Sequence, residues 1–215
     1  MLRCSDTMLG ATTTRSSILM PSGGTPRPGR PRDPRTDELI LAAARELVAE
    51  QGYNRVSIEA VARRAGVTRP TVYRRWPSKA HLVHEAVYPA REMSFRPLPQ
   101  EDFATGVLRF AEAALESFRR PETAAAVPGL LAEYRDQPEL KELLVARMDP
   151  VRAIFRAFVA DAVARGQARP DVDADLLFES LSGALMFGVL GSGLATKPGF
   201  AASVARLLTH GAARP

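Results

Sequence analysis

The chain has 215 residues, 46% of them hydrophobic and 25% charged, the balance of a soluble protein with room for one large domain or a small one plus a larger one. A single cysteine, Cys4, excludes an internal disulfide and a cysteine-based zinc site, and fits a reducing cytoplasm. The net charge of +5 is uneven: residues 21–91 carry 13 Lys/Arg against 7 Asp/Glu, whereas 92–215 carry 14 against 16, so a polyanionic partner is expected for the N-terminal third alone.

Residues 1–34 hold Pro, Gly, Ser, Thr and Arg without periodicity and are expected to form a disordered basic arm. The opening stretch is polar and lacks a continuous apolar region, so no targeting segment is expected. Thr36 is the expected cap of a first helix, with Asp37 and Glu38 at its positive end and an apolar stripe of Leu39, Ile40, Ala43, Ala44, Leu47 and Val48. Gly52 stops it. Ser57 caps the next helix, in which Ile58, Val61, Ala62 and Ala65 face inward, and Gly66 ends that one. Only Val67 separates this glycine from Thr68, and two short helices joined by a tight Gly turn form a helix-turn-helix.

The stretch "TRPTVYRRWPSK" (Thr68 to Lys79) then sets two aromatics among four basic residues. With Thr68 as cap, Val72 and Trp76 share one face and pack on Val61 and Ala62, with Arg69 beside them near the open end. Pro70, Thr71 and Arg74 point the opposite way, and Tyr73 and Arg75 flank. Pro70 is tolerated because first-turn amides have no intrahelical partner, and Pro77 ends the helix at Trp76. A short basic helix of this kind fits the phosphate-lined major groove of double-stranded DNA.

Here a resemblance becomes specific. "ELILAAARELVAEQGYNRV" and "VSIEAVARRAGVTRPTVYRRWPSKAHLV" resemble the DNA-binding domain of the TetR (tetracycline-repressor) family of transcriptional regulators, over residues 35–84. The resemblance implies a homodimer, a palindromic operator and a helical C-terminal domain, residues 85–215, that binds a small effector. It places Thr68 at the cap of the recognition helix and Arg69, Thr71, Tyr73 and Arg74 at contact positions. Ser57 and Lys79 match positions that hold phosphates. Many relatives carry a small residue where this chain has Pro70, and a histidine where it has Arg74, so base preference there is not carried over. In the arm, "PRPGRPR" (Pro26 to Arg32) sets Arg30 and Arg32 in a Gly-Arg-Pro context similar to an AT-hook. Either these arginines enter a narrow A·T minor groove or the tail only solubilises.

A further helix runs from Ser78 to Met93, interrupted by Pro89, and "FRPLPQ" is a Pro-punctuated joint. Beyond it Phe103, Val107, Phe110, Ala114 and Phe118 mark a helical apolar face, and a long segment from Glu139 to Arg165 contains Pro150. No alternating β pattern of useful length occurs, so an all-α chain is expected. The helix from Asp173 to Leu190 is apolar nearly all round. It is about long enough to span a membrane, but Glu179, its glycines and serines and the lack of a Lys/Arg flank favour a buried helix, and no membrane partner is expected. With "FAASVARLLTH" it forms either a symmetric dimer interface, through Leu177, Leu181, Leu185, Val204 and Leu208, or a monomer's central core. Phe110, Phe118, Tyr134, Met148, Phe155 and Met186, with Arg152 as polar anchor, are the candidates for an apolar effector site.

Competing chemistries are weaker. His81, His84 and Glu85 fall within one helical turn, but no distant third ligand accompanies them. "GVLGSG" (Gly188 to Gly193) follows a helix, not the strand that a phosphate loop needs. No catalytic residue, metal or cofactor is expected. The remaining alternative is an α-helical interaction module whose basic third binds a partner other than DNA.

Overall fold

The computed structural model describes residues 34–88, 95–98 and 100–212. The arm with Arg30 and Arg32, and the segment from Pro89 to Met93 through which the fourth helix was expected to continue, lie outside the described residues. Among the described residues every regular element is helical. They are α1 (Pro34–Gln51), α2 (Ile58–Arg64), α3 (Arg69–Tyr73), α4 (Lys79–Val87), α5 (Phe103–Arg119), α6 (Pro121–Asp136), α7 (Pro138–Ala164), α8 (Ala174–Leu190) and α9 (Phe200–Ala212), with short 3-10 turns at Tyr53–Arg55 and Leu194–Thr196. None of these helices is long and apolar enough to cross a membrane.

Two apolar cores organise the chain. The first joins Ile40, Leu47 and Val48 of α1 to Val61 and Ala62 of α2, Val72 of α3, Trp76, and Leu82 and Val83 of α4. It also takes in Leu130 and Tyr134 of α6 and Leu140 of α7, so the small N-terminal helices are seated directly on the larger set. The second core gathers α5, α7, α8 and α9 around Phe110, Phe155, Phe158, Phe178 and Leu181.

Several boundaries differ from expectation. α1 begins at Pro34, so Thr36 lies inside the first turn and is not the cap; proline is accommodated there because its missing N–H would have had no partner. Leu39, assigned to the buried stripe, is exposed. α3 ends at Tyr73, three residues before Trp76, and the chain tightens as the Arg75 and Trp76 amides both donate to Val72 O at 2.9 and 3.0 Å. α7, by contrast, matches the expected long segment to within a residue at each end and carries Pro150 inside it.

The turn between α2 and α3 has a definite mechanism. Val67 N–H donates to Ala62 O at 2.9 Å and Gly66 N–H to Arg63 O at 3.3 Å, the paired bonds of a Schellman end. Gly66 sits at φ 68°, where only glycine is unstrained. A Cβ there meets nothing within 4 Å, so the cost of adding one is purely that of the backbone. Gly66→Ala is therefore expected to lower stability by about 1 kcal/mol without a steric clash, read as a lower denaturant midpoint at unchanged slope.

Candidate nucleic-acid interface and effector cavity

α3 is held from behind and open in front. Val72 is fully buried and Trp76 nearly so; the Trp76 indole N–H donates to Glu85 Oε2 of α4 at 2.9 Å. Glu85 also pairs with Arg147 of α7 at 3.4 Å. These contacts fix the helix on its support. Arg69, Pro70, Tyr73 and Arg74 are exposed on the outer side, and Thr71 is half-buried. Arg69 lies 3.5 Å from Glu59 and 6.0 Å from the Tyr73 ring centroid, a stacked cation beside an aromatic.

Not all of the expected basic face points outward. Arg75 folds back and pairs with Asp37 of α1, its side chain only 11% exposed, and its guanidinium also donates to Thr71 O. Asp37 thus serves two positive groups, the α1 N-terminus and this arginine. Lys79 is half-buried: its ammonium donates to Tyr53 O at 3.2 Å and lies 4.1 Å above the Tyr53 ring. Thr68 stands at the cap position of α3, but its hydroxyl bonds the Thr71 hydroxyl at 2.9 Å and caps no amide. Ser57 does cap α2, accepting the Ala60 N–H at 3.1 Å. Of the four basic residues in the quoted stretch, Arg69 and Arg74 are the ones fully presented.

The histidines do other work. His81 Nδ1 bonds Ser78 Oγ at 2.8 Å. His84 is wholly buried between the rings of Tyr88 and Tyr134, with centroids 5.5 and 6.0 Å away. Burial, then the positive charge of Arg147 and of His81, pushes its pKa down from 6.5 to about 4. As the pH falls below about 6.5, the unfolded chain takes up a proton that the fold refuses until about pH 4, so stability is full above that window and lost within it. Wild-type protein should lose about 2 kcal/mol more than His84→Leu between about pH 7.5 and pH 5, measured by urea unfolding. Equal losses would mean that His84 is not the group responsible.

Behind this layer lies a cavity of about 380 Å³ between α5, α6, α7 and α8, with Tyr88 just beyond α4 and Phe95 also in its wall. Phe110, Phe118, Tyr134, Met148, Arg152 and Met186 all line it. Phe155 does not. It is completely buried in a cluster with Phe95, Phe110, Phe158 and Phe178 and belongs to the core. Nor is Arg152 a free anchor, because it pairs with Glu179 and lies 4.8 Å over the Phe178 ring. Tyr88, Lys141 and Glu179, which residue type alone does not single out, also line the cavity; the spacing of Lys141, Val145, Met148 and Arg152 along one face of α7 is the available signal. A wider depression on α1 and α2, about 550 Å³, is open and occupied by the Arg64 ion pairs to Glu46 and Glu50. The "GVLGSG" stretch is the end of α8, where Gly188 lets the Phe200 ring approach closely.

Three residues assigned to a dimer interface are placed elsewhere. Leu177, Leu181 and Leu185 are turned into the protein's own second core and are buried. Val204 and Leu208 are half-buried against the same core. The outward apolar residues of these helices are instead Leu176 and Phe187 of α8, 64% and 65% exposed, and Leu207 of α9, 75% exposed.

Comparison with known proteins agrees with this architecture. Residues 40–86 match the family described as bacterial regulatory proteins, tetR family, and residues 99–208 match the tetracyclin repressor-like C-terminal domain. An uncharacterised HTH-type transcriptional regulator of Mycobacterium tuberculosis is 32% identical over 158 residues, covering 73% of this chain and 77% of the relative. The DNA-binding transcriptional repressor TetR of Mycobacteroides abscessus is 34% identical over 145 residues, or 65% of this chain and 74% of that protein. The solved structure of Salmonella enterica GusR superposes with a TM-score of 0.64 at 25% identity, over 82% of this chain and 94% of that one. The chain belongs to the TetR family of transcriptional regulators.

Proposed function

We propose that this regulator is a repressor, acting in the cytoplasm without catalysis, which binds a palindromic DNA operator as a homodimer and leaves it when a small, mostly apolar effector occupies the cavity. The observation that carries the reading is the coexistence of an outward Arg69–Tyr73–Arg74 face on a firmly seated helix with an apolar cavity behind that helix's support. Residues 35–84 would read DNA and residues 85–215 would bind effector and partner, with the 1–34 arm adding basic charge. Coupling runs through α4, which packs on α3's neighbours on one side and contributes Tyr88 beyond its C-terminal end to the cavity on the other. An effector shifts this equilibrium only by binding more tightly to the form whose recognition helices do not match the operator spacing. A partner other than DNA is not favoured by any feature of the exposed face.

Footprinting on the DNA beside the protein's own gene tests the reading, with a protected inverted repeat as the expected result. Arg74→Ala is expected to cost about 1–3 kcal/mol on that repeat and to relax base preference at one position of each half-site. Lys79→Ala should weaken all sequences alike and flatten the salt dependence. If both variants lose affinity uniformly, Arg74 holds phosphate and does not read a base.

A further inference from the structure

We infer that the cavity takes an amphipathic monoanion, an apolar body ending in a carboxylate-type head, with the head seated at the α6–α7 corner beside Tyr134 and Lys141. This inference rests on the cavity being the effector site and goes on to name the effector's chemistry.

The cavity holds unmatched donors. The body of the cavity is apolar, with Phe110, Phe118, Leu130, Met148 and Met186 in its walls. Its polar groups are unequal. Glu179, the carboxylate of the lining, is committed to Arg152, and that pair neutralises itself at one end of α7's inner face. Lys141 stands three turns earlier on the same face, about 16 Å away along the helix axis; it is exposed at the rim of the cavity and has no ion-pair partner among the described residues. The Tyr134 hydroxyl, at the end of α6, is buried and finds no hydrogen-bond partner among the described residues. Burial raises its pKa above the ordinary tyrosine value, so the group remains a neutral donor. A buried donor left unmade costs free energy that an acceptor on a ligand recovers. A buried neutral donor in the wall and an unpaired cation at the rim of one apolar cavity suit an acceptor that carries negative charge.

The position of that corner also matters for response. Glu133, next to Tyr134, accepts the Tyr53 hydroxyl at 3.2 Å, and Tyr53 carries Lys79 at the start of α4. The Tyr53 ring lies so close to Gly129 of α6 that a Cβ there would collide with it. A displacement of this part of α6 is therefore felt at the end of α4 nearest the recognition helix.

The test uses three probes with one ten-carbon chain and different heads: decanoate, decanol and decylamine, titrated calorimetrically into the full chain and into Lys141→Gln and Tyr134→Phe. Decanoate is expected to bind once per chain and about tenfold or more tighter than decanol, the size of one charge-assisted hydrogen bond. Decylamine is expected to bind no better than decanol. Each variant should remove most of the decanoate preference. Arg152→Gln, by contrast, should leave the preference standing. Decanol or decylamine binding as tightly as decanoate, a preference that survives Lys141→Gln, or no binding by any probe would each overturn the assignment. Operator retardation with the same probes separates the two readings. Release by decanol alone keeps effector control and discards the anion, whereas charge-selective binding without release keeps the anion and discards effector control.

Discussion

Phe155→Ala is expected to lower the stability of the protein by about 3–5 kcal/mol, a large share of what a domain of this kind possesses. The ring has no exposed surface. Its centroid lies 4.7 Å from that of Phe110, 5.7 Å from Phe178 and 6.1 Å from both Phe95 and Phe158, so it is the hub of an aromatic cluster drawn from several elements. Removing it forfeits both the transfer free energy of the ring and the contacts of its neighbours, which are anchored on α5, α7, α8 and the segment before α5 and cannot all collapse into the gap. Equilibrium urea unfolding at fixed protein concentration measures the loss, since any dimer makes stability depend on concentration. Phe155→Leu should lose far less. A loss below about 1 kcal/mol for the alanine variant would remove Phe155 from the core.

Phe187→Arg is expected to convert a dimer to monomers and to reduce operator affinity by a factor on the order of 10²–10⁴, the gain that joining two half-site readers provides. Phe187 and Leu176 lie eleven residues apart, on the same outward face of α8, with the half-buried Ser180 and Gly183 between them. Leu207 is the exposed apolar residue of neighbouring α9. Large apolar side chains left this open on two adjacent helices suit a symmetric interface of the four-helix kind. An arginine in such a face brings a charge from each protomer into an apolar contact. Sedimentation at micromolar protein reads the effect, and a variant that sediments as the wild type would exclude this face. Leu185→Arg makes the useful contrast, because Leu185 is fully buried inside the protein and its replacement should unfold the chain before it separates any dimer.

The difference between those two leucine-rich faces shows where sequence was legible and where it was not. The helix-turn-helix could be read because glycine, caps and periodicity agree over a short span: Gly66 demands its left-handed turn, Ser57 caps, and Val61, Ala62 and Val72 recur on one side. α8 could not be oriented, because apolar residues surround it and no polar face says which side is out. Leu177, Leu181 and Leu185 are as hydrophobic as Leu176 and Phe187, and only the packing of α5 and α9 decides between them. In the cavity, six of the seven residues expected from residue type line the wall. Phe155 was misplaced because aromatic character does not distinguish a wall from the layer behind it. Arg75 was overcounted for the opposite reason. Its charge suggests solvent or phosphate, but Asp37, remote in sequence, holds it in place; the Tyr53 ring and carbonyl orient Lys79 in the same long-range way. Long-range partners of this kind have no local signature.

The ratio of affinities for the footprinted inverted repeat and for a scrambled duplex of equal length tests the central claim most directly. The exposed Arg69, Tyr73 and Arg74 face on a rigidly seated α3 predicts tighter binding to the repeat by a factor of about 10³ or more, with both affinities falling steeply as salt rises. Equal affinity for the two duplexes, at every salt concentration, would show a basic surface that holds phosphate and reads nothing, and would contradict the account.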